Sequence, residues 1–324
     1  MIAFKTYQWR DFLQKYFLGK IVEEKQKAGR NHTLSISEAE RSALQAEITD
    51  IEQLKTGGDF INKTINADLL QVLPLLPDGF ADLIIADPPY NLTKNFNGLN
   101  FSAMKEADYE EYLQGWLPQV CKKLKPNGSL YLCGDWKCTS ALQRGIEKEL
   151  CVMNRITWQR EKGRGAKNNW KNSMEDIWFA VADPKNYYFD VEAVKLKRKV
   201  LAPYKVNGEA KDWNTEDDGN FRLTYPSNFW DDISVPFWSM SENTEHPTQK
   251  SEKLYAKLIL ASCPAGGVVF DPFLGSGTAS VVAKKLGRNY CGVEINGEYC
   301  LYAAKRLLQA EENKQIQGYK DNVF

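Results

Sequence analysis

The sequence predicts an α/β protein built on a doubly wound, mostly parallel sheet. Three observations carry that expectation. From about Ile65 onward, short apolar strands alternate with amphipathic helices, the order that builds a parallel sheet covered on both faces. Leu83, Ile84 and Ile85 form a continuous apolar run, as expected of a strand buried on two sides. Val268, Val269 and Phe270 form another, and a glycine-rich turn and a helical stretch follow it.

Taken in order, residues 1–58 read as a helical extension. Trp9, Phe12, Leu13, Tyr16 and Phe17 make one apolar stripe. Ser37-Glu38-Ala39-Glu40 fits a capping box, with Leu44, Ile48 and Ile51 behind it at helical spacing and Gly57-Gly58 as a stop. This extension is expected to pack on its own core; a dimer contact or a DNA contact is the alternative. Asp68 precedes the helical run Leu69, Leu70, Val72, Leu73, which leads into the strand that ends at Asp87. Asn91 to Ser102 is polar and reads as a mobile loop. A helix over Tyr109–Leu124, a strand over Ser129–Cys133, a helix over Ala141–Leu150 and strands over Asn154–Gln159 and Glu175–Ala182 follow. Between the last two lies a basic segment, with Arg160, Lys162, Arg164, Lys167 and Lys171 set among glycines and asparagines. Such a loop suits phosphate contacts, or is simply a solvated surface. Residues 191–243 break the alternation: a basic run with Lys195, Lys197, Arg198 and Lys199, an acidic stretch, then aromatics around Trp230 and Trp238. This region reads as an irregular insert with room to lie against a partner and read it; its aromatics are more often core than contact. The expected division is 1–58, 59–190, 191–243 and 244–324.

Composition narrows the classes. The chain has 324 residues, 43% of them hydrophobic, and no net formal charge, so any nucleic-acid surface must come from local clustering. No apolar run approaches a membrane span, and a soluble cytoplasmic protein is expected. Seven scattered cysteines and only His32 and His246 make a zinc site an unpromising expectation.

The segment Asp87-Pro88-Pro89-Tyr90 has a definite chemistry. Ionised Asp87 accepts hydrogen bonds only, and the Pro88 carbonyl is a second fixed acceptor. Two acceptors side by side suit an exocyclic amine, and Tyr90 offers a face for a planar base. Average residue usage puts a chance match to all four residues at on the order of one in a thousand. At the other motif, Gly275 and Gly277 permit a tight turn, while Asp271 and Glu294 end successive strands. The dinucleotide fingerprint fails because Ser280 stands where a glycine or alanine is needed, and no lysine precedes Thr278 as a phosphate loop requires. Asp271 would repel phosphate but hold an ammonium, and Glu294 is placed for ribose hydroxyls. S-adenosylmethionine has both groups.

Together these segments resemble the amino-group DNA methyltransferases, which methylate adenine N6 or cytosine N4. Asp87-Pro88-Pro89-Tyr90 is similar to their catalytic motif, Asp271 through Thr278 to their cofactor loop, and His246-Pro247-Thr248-Gln249-Lys250 to a third motif. The catalytic motif precedes the cofactor motif, as in the family's β group. The resemblance implies a Rossmann-like, S-adenosylmethionine-dependent methyltransferase fold. It implies that Asp87 and Pro88 bind the target amine, with Pro89 completing the motif, and that Tyr90 stacks on the extruded base. It further implies cofactor contacts from Asp271, Phe273, Gly275, Ser276, Gly277 and Thr278, with Thr248 and Lys250 near the methionine carboxylate, Glu294 on the ribose and Asp68 at the adenine. Arg160, Lys162, Arg164, Lys167, Lys195 and Arg198 would touch double-stranded DNA, and the 191–243 insert would recognise the target. Two positions depart from the family pattern: Ser251 replaces a common proline and Ala67 a common glycine. Asp before Pro-Pro-Tyr favours adenine by family habit; cytosine N4 or RNA is the rival substrate, and a non-catalytic binding subunit the rival of another class. A homodimer is expected by analogy with the β group, and the sequence leaves a cognate restriction endonuclease open.

Overall fold

A computed structural model describes residues 29–96, 99–160, 165, 167–201, 204–217 and 219–324. The stripe from Trp9 to Phe17 and the basic residues Lys162 and Arg164 lie outside the described residues.

The core is a nine-stranded sheet in the order β1-β2-β16-β15-β3-β6-β8-β7-β14. Its strands are β1 (Ile48–Asp50), β2 (Lys63–Asn66), β3 (Ala81–Ala86), β6 (Leu124–Gly134), β7 (Cys151–Gln159), β8 (Met174–Val181), β14 (Phe229–Trp230), β15 (Val268–Asp271) and β16 (Asn289–Glu294). From β1 through β6 every neighbouring pair is parallel. β8 then runs antiparallel to both β6 and β7.

Side-chain alternation along β3 explains why helices must cover both faces. Leu83 and Ile85 pack into one apolar layer, with α6 (Glu252–Ser262), α7 (Thr278–Lys285) and the C-terminal half of α8 (Gly297–Glu312). Ile84 and Ala86 pack into the other, with α3 (Leu69–Val72), α4 (Glu106–Cys121) and α5 (Thr139–Ile146). Each fully buried Leu or Ile contributes about 1.5–3 kcal/mol, so a one-residue slip of β3 would misplace its whole apolar set. At the other end of this strand, Asp82 accepts from Lys125 Nζ and from the Val268 N–H, both at 2.8 Å, and so ties β3, β6 and β15 together.

Several expectations need correcting. The helix expected after Ser37 is two helices, α1 (Glu38–Ala46) and α2 (Ile51–Lys55), with β1 between them. The Ser37 capping box forms, and Asp50 with Gln53 forms a second one. That second box restarts the helix, while Ile48 and Thr49 join the sheet edge beside Thr64 and Ile65. The loop after Tyr90 holds a hairpin, β4 (Lys94–Phe96) and β5 (Leu99–Phe101). Asn91 staples its base, bonding the Met104 N–H at 2.7 Å and the Met104 carbonyl at 2.8 Å. The insert is also more regular than its composition suggests. β9 (Leu196–Lys199), β12 (Asn214–Glu216) and β13 (Gly219–Thr224) form a three-stranded antiparallel sheet, and β10 (Lys205–Val206) pairs with β11 (Glu209–Ala210).

Candidate active site

Parallel strands deliver their carboxyl ends to one edge of the sheet, where ligands of such folds bind. β15 pairs directly with β3, with Val269 beside Leu83 and Phe270 beside Ile84. Asp271 ends β15 and Asp87 follows β3, so the two motifs reach the same edge on neighbouring strands.

Asp87 is held at both oxygens. Lys250 Nζ donates to Oδ2 at 2.7 Å and the Tyr90 hydroxyl donates to Oδ1 at 2.7 Å. The Tyr109 hydroxyl donates to the Pro89 carbonyl at 3.1 Å. Among the described residues no donor reaches the Pro88 carbonyl. Glu175, which no motif singled out, completes the group. Its Oε2 lies 3.1 Å from the Tyr90 hydroxyl, whose single proton it shares with Asp87, and 3.2 Å from Lys250 Nζ, while its Oε1 lies 3.0 Å from Arg160. Burial works against the Lys250 charge, but Asp87 and Glu175 outweigh it and push the ammonium's pKa above its ordinary value. Burial, then the Asp87 and Glu175 charges, pushes the Tyr90 phenol well up, so it stays a donor. The hairpin reaches the segment before Lys250 through Lys94, whose Nζ donates to the Pro247 carbonyl at 3.4 Å.

Beside it stands a second set of acceptors. Asp271 is 2% exposed, and its side chain's one hydrogen bond among the described residues comes from the Phe273 N–H at 3.0 Å. Burial raises its pKa well above the carboxylate range, and the charges of Asp87 and Glu294 add to the effect. An ammonium ligand placed there would offset the cost of burial and hold the group in its ionised, accepting form. Glu294 accepts from the Gly275 N–H and the Asn296 N–H, each at 2.8 Å, and burial raises its pKa to about 7. The buried Ser276 hydroxyl has no partner among the described residues. These groups fit the amino-acid and ribose ends of S-adenosylmethionine.

The glycines of this turn answer to packing as well. Gly275 has φ +55°, and a Cβ there would stand 3.0 Å from His246 Nε2. Gly277 has φ +88°, and its Cβ would meet the Ala303 Cβ at 2.6 Å, so its bareness lets α7 approach α8. Thr278 Oγ1 donates to the Lys250 carbonyl at 3.1 Å and accepts from Arg306 at 3.0 Å, which joins the third motif to the cofactor turn. The Thr248 N–H donates to His246 Nδ1 at 3.4 Å. Phe273 packs edge-on against Trp116. Asp68 caps α3, accepting from the Leu70 N–H at 2.8 Å. It lies just past the end of β2, where Asn66 is level with Glu294.

The basic residues divide. Arg160 turns inward to Glu175. Lys167 is exposed. Lys195 pairs with Glu192 at 2.5 Å and lies over the Tyr225 ring. Arg198 is exposed on β9. Sequence reasoning missed Glu175 because reading its strand as one more parallel strand puts the start of β8 at the wrong edge. The available signal was an acid opening the apolar run Ile177 to Val181.

The chain is similar to known proteins along most of its length. A family model described as DNA methylase, covering N6 and N4 methyltransferases, matches residues 81–305. The chain is 34% identical to the DNA adenine methyltransferase YhdJ of Escherichia coli (strain K12), over 81% of this chain and 90% of that one. It is 33% identical to the type II methyltransferase M.HpaI of Haemophilus parainfluenzae, over 76% and 74% respectively. Its fold is similar to that of the cytosine-N4-specific PvuII DNA methyltransferase, with a TM-score of 0.58 at 18% identity over 77% of this chain and 90% of that one. A family match that spans both motifs, on strands that lie side by side, makes this chain a member of the N6/N4 amino-group DNA methylases.

Proposed function

We propose that this protein is a site-specific DNA methyltransferase that modifies adenine N6 in a base turned out of the duplex. The observation that carries the reading is the direct pairing of β3 with β15, which sets the Asp87 acceptor beside the Asp271 and Glu294 acceptors. Adenine is favoured by Asp, in place of Ser, before Pro-Pro-Tyr, and by the 34% identical relative, a DNA adenine methyltransferase.

Extruding the base costs a few kcal/mol, since its amine is unreachable inside the duplex. Asp87 and the Pro88 carbonyl accept the two amine hydrogens. A carboxylate offers about four lone-pair sites, and Lys250 and Tyr90 occupy two at Asp87, so the amine can still be received. These bonds draw the nitrogen toward a tetrahedral shape and free its lone pair from the ring to form the new N–C bond as the S–C bond breaks, and the methylated nitrogen then sheds one proton to solvent. Asp271 and Ser276 hold the amino-acid end of S-adenosyl-L-methionine, and Glu294 the ribose. Asp68 meets the adenine of the cofactor, and Thr248 lies near the carboxylate. When bound, that cofactor supplies an electrophilic methyl group on a sulfonium. Holding the nitrogen in line with that methyl does most of the work, and the fixed Asp87 charge favours the positive charge that grows on the nitrogen. Lys162, Arg164, Lys167, Lys195 and Arg198 are assigned to DNA and residues 191–243 to target recognition, while Arg160, expected on DNA from the sequence, is turned to Glu175.

The test is methylation-sensitive sequencing of DNA from cells expressing the chain, with base analysis of defined duplexes. N6-methyladenine at one short sequence is expected. N4-methylcytosine would overturn the choice of base. No methylation, with no cofactor binding in a titration, would leave a binding subunit instead.

A further inference from the structure

Glu175 is a carboxylate only 4% exposed, at the start of a strand that no motif marks. Because β8 runs antiparallel to β6, its first residues reach the edge where the parallel strands end; Asp176 is level with Gly134, the last residue of β6. There Glu175 Oε2 contacts Tyr90 and Lys250, the two donors that occupy the oxygens of Asp87. Its other oxygen faces Arg160 at 3.0 Å.

Building on the methyl-transfer reading above, we propose that Glu175 is a positioning residue for that transfer: it holds Tyr90 and Lys250 where they fix both oxygens of Asp87. Two physical effects make the position matter. The terminal torsion of an aspartate is broad, so a carboxylate bonded at one oxygen presents its lone pairs over a range of directions. Bonds at both oxygens remove that freedom, and Glu175 is the shared acceptor that keeps both donors in place. Charge is the second effect. Lys250 alone would neutralise Asp87 and oppose the positive charge growing on the target nitrogen. With Glu175 in place two carboxylates balance two cations, Lys250 and Arg160; without its charge the group would be net positive beside that nitrogen. The Glu175→Gln change keeps the size and removes one of those charges.

The test compares full-length wild type, Glu175→Gln and Glu175→Asp on the duplex that the wild type methylates. For Glu175→Gln, kcat falls roughly 10- to 100-fold while the Kd for S-adenosylmethionine and for duplex stays within about twofold. Glu175→Asp keeps the charge with a shorter reach and falls between the two. The proposal is overturned if Glu175→Gln stays within about threefold of wild-type kcat, or if kcat and cofactor affinity fall together. Should thermal melting show Glu175→Gln unfolded, Glu175→Asp decides alone: lowered kcat at wild-type Kd supports the proposal, and wild-type kcat overturns it. Wild-type protein that methylates nothing would sink the functional reading itself, a result plainly different from an active wild type with an active variant.

Discussion

Asp87 has to accept hydrogen bonds and donate none, and its neighbours arrange that. Lys250 and Tyr90 each give a proton to it and take none. Asp87→Ala should therefore lower kcat by roughly 10²- to 10³-fold or more. Lys250 retains Glu175 as a partner in that variant, so the fold and cofactor affinity should hold; single-turnover methylation beside calorimetric titration checks both. Glu294 gives a pH prediction. Burial lifts its pKa from 4.5 to about 7 in the folded protein. In the free protein, its contribution to stability is present below about pH 4.5 and is lost as pH rises through about 7. Ribose hydroxyls donate to the ionised form, so S-adenosylmethionine should bind more tightly as pH rises through about 7. Titrations on either side of that pH should show the rise, and Glu294→Gln should flatten it. Asp87, Asp271 and Glu294 were all legible in the sequence, because each sits where an apolar run stops. Glu175 was not, because its importance depends on strand direction. The Lys250 contact with Asp87 was not either, since it joins residues far apart in the chain.

Among the elements, the junction between the cofactor turn and its helix shows how a local signal can have a tertiary cause. Gly277 reads as a turn glycine beside a ligand, and its φ of +88° agrees with a turn. What stands against its missing Cβ is Ala303 on α8, at 2.6 Å. Gly277→Ala should cost about 2–4 kcal/mol, from the left-handed backbone together with overpacking between α7 and α8. A thermal or urea melt measures it; a melt equal to wild type would mean the helices close differently. The break between α1 and α2 shows the converse. Asp50 and Gln53 cap a new helix start, where the helical spacing of Leu44, Ile48 and Ile51 predicts one continuous helix. The edge of the sheet settles the contest, because β2 offers backbone partners to Ile48 and Thr49. In the insert, the basic run became β9 because the acidic stretch folds back near it: Lys197 pairs with Glu216, and β13 lies between their strands.

Across the whole molecule, the assigned functions need a route for DNA to the edge that carries Asp87. Net charge is zero, so binding must rest on cations left without a nearby acid. Lys167 and Arg198 are exposed, while Lys195 and Lys197 are paired with Glu192 and Glu216. If Lys167 and Arg198 touch phosphates as assigned, each change to Ala should reduce the salt dependence of duplex affinity by about 0.9 in log–log slope. The paired Lys195 should matter less. Binding isotherms over a range of salt concentrations make the comparison, and equal slopes for Lys167→Ala, Arg198→Ala and wild type would remove both from the interface. Among the described residues no helix is long and apolar enough to cross a membrane.

By itself the sequence determined the chemistry of the two motifs and the class of sheet that carries them. Both are local properties: apolar runs define strands, and the residues that interrupt them define where acids and turns fall. Only the tertiary structure decided that β15 lies directly against β3, that β8 reverses direction, and that Glu175 and Lys250 close on Asp87. Those outcomes depend on which strands pair and in which sense, and pairing is set by how two helical layers bury both faces of one sheet, which no single stretch of the chain encodes.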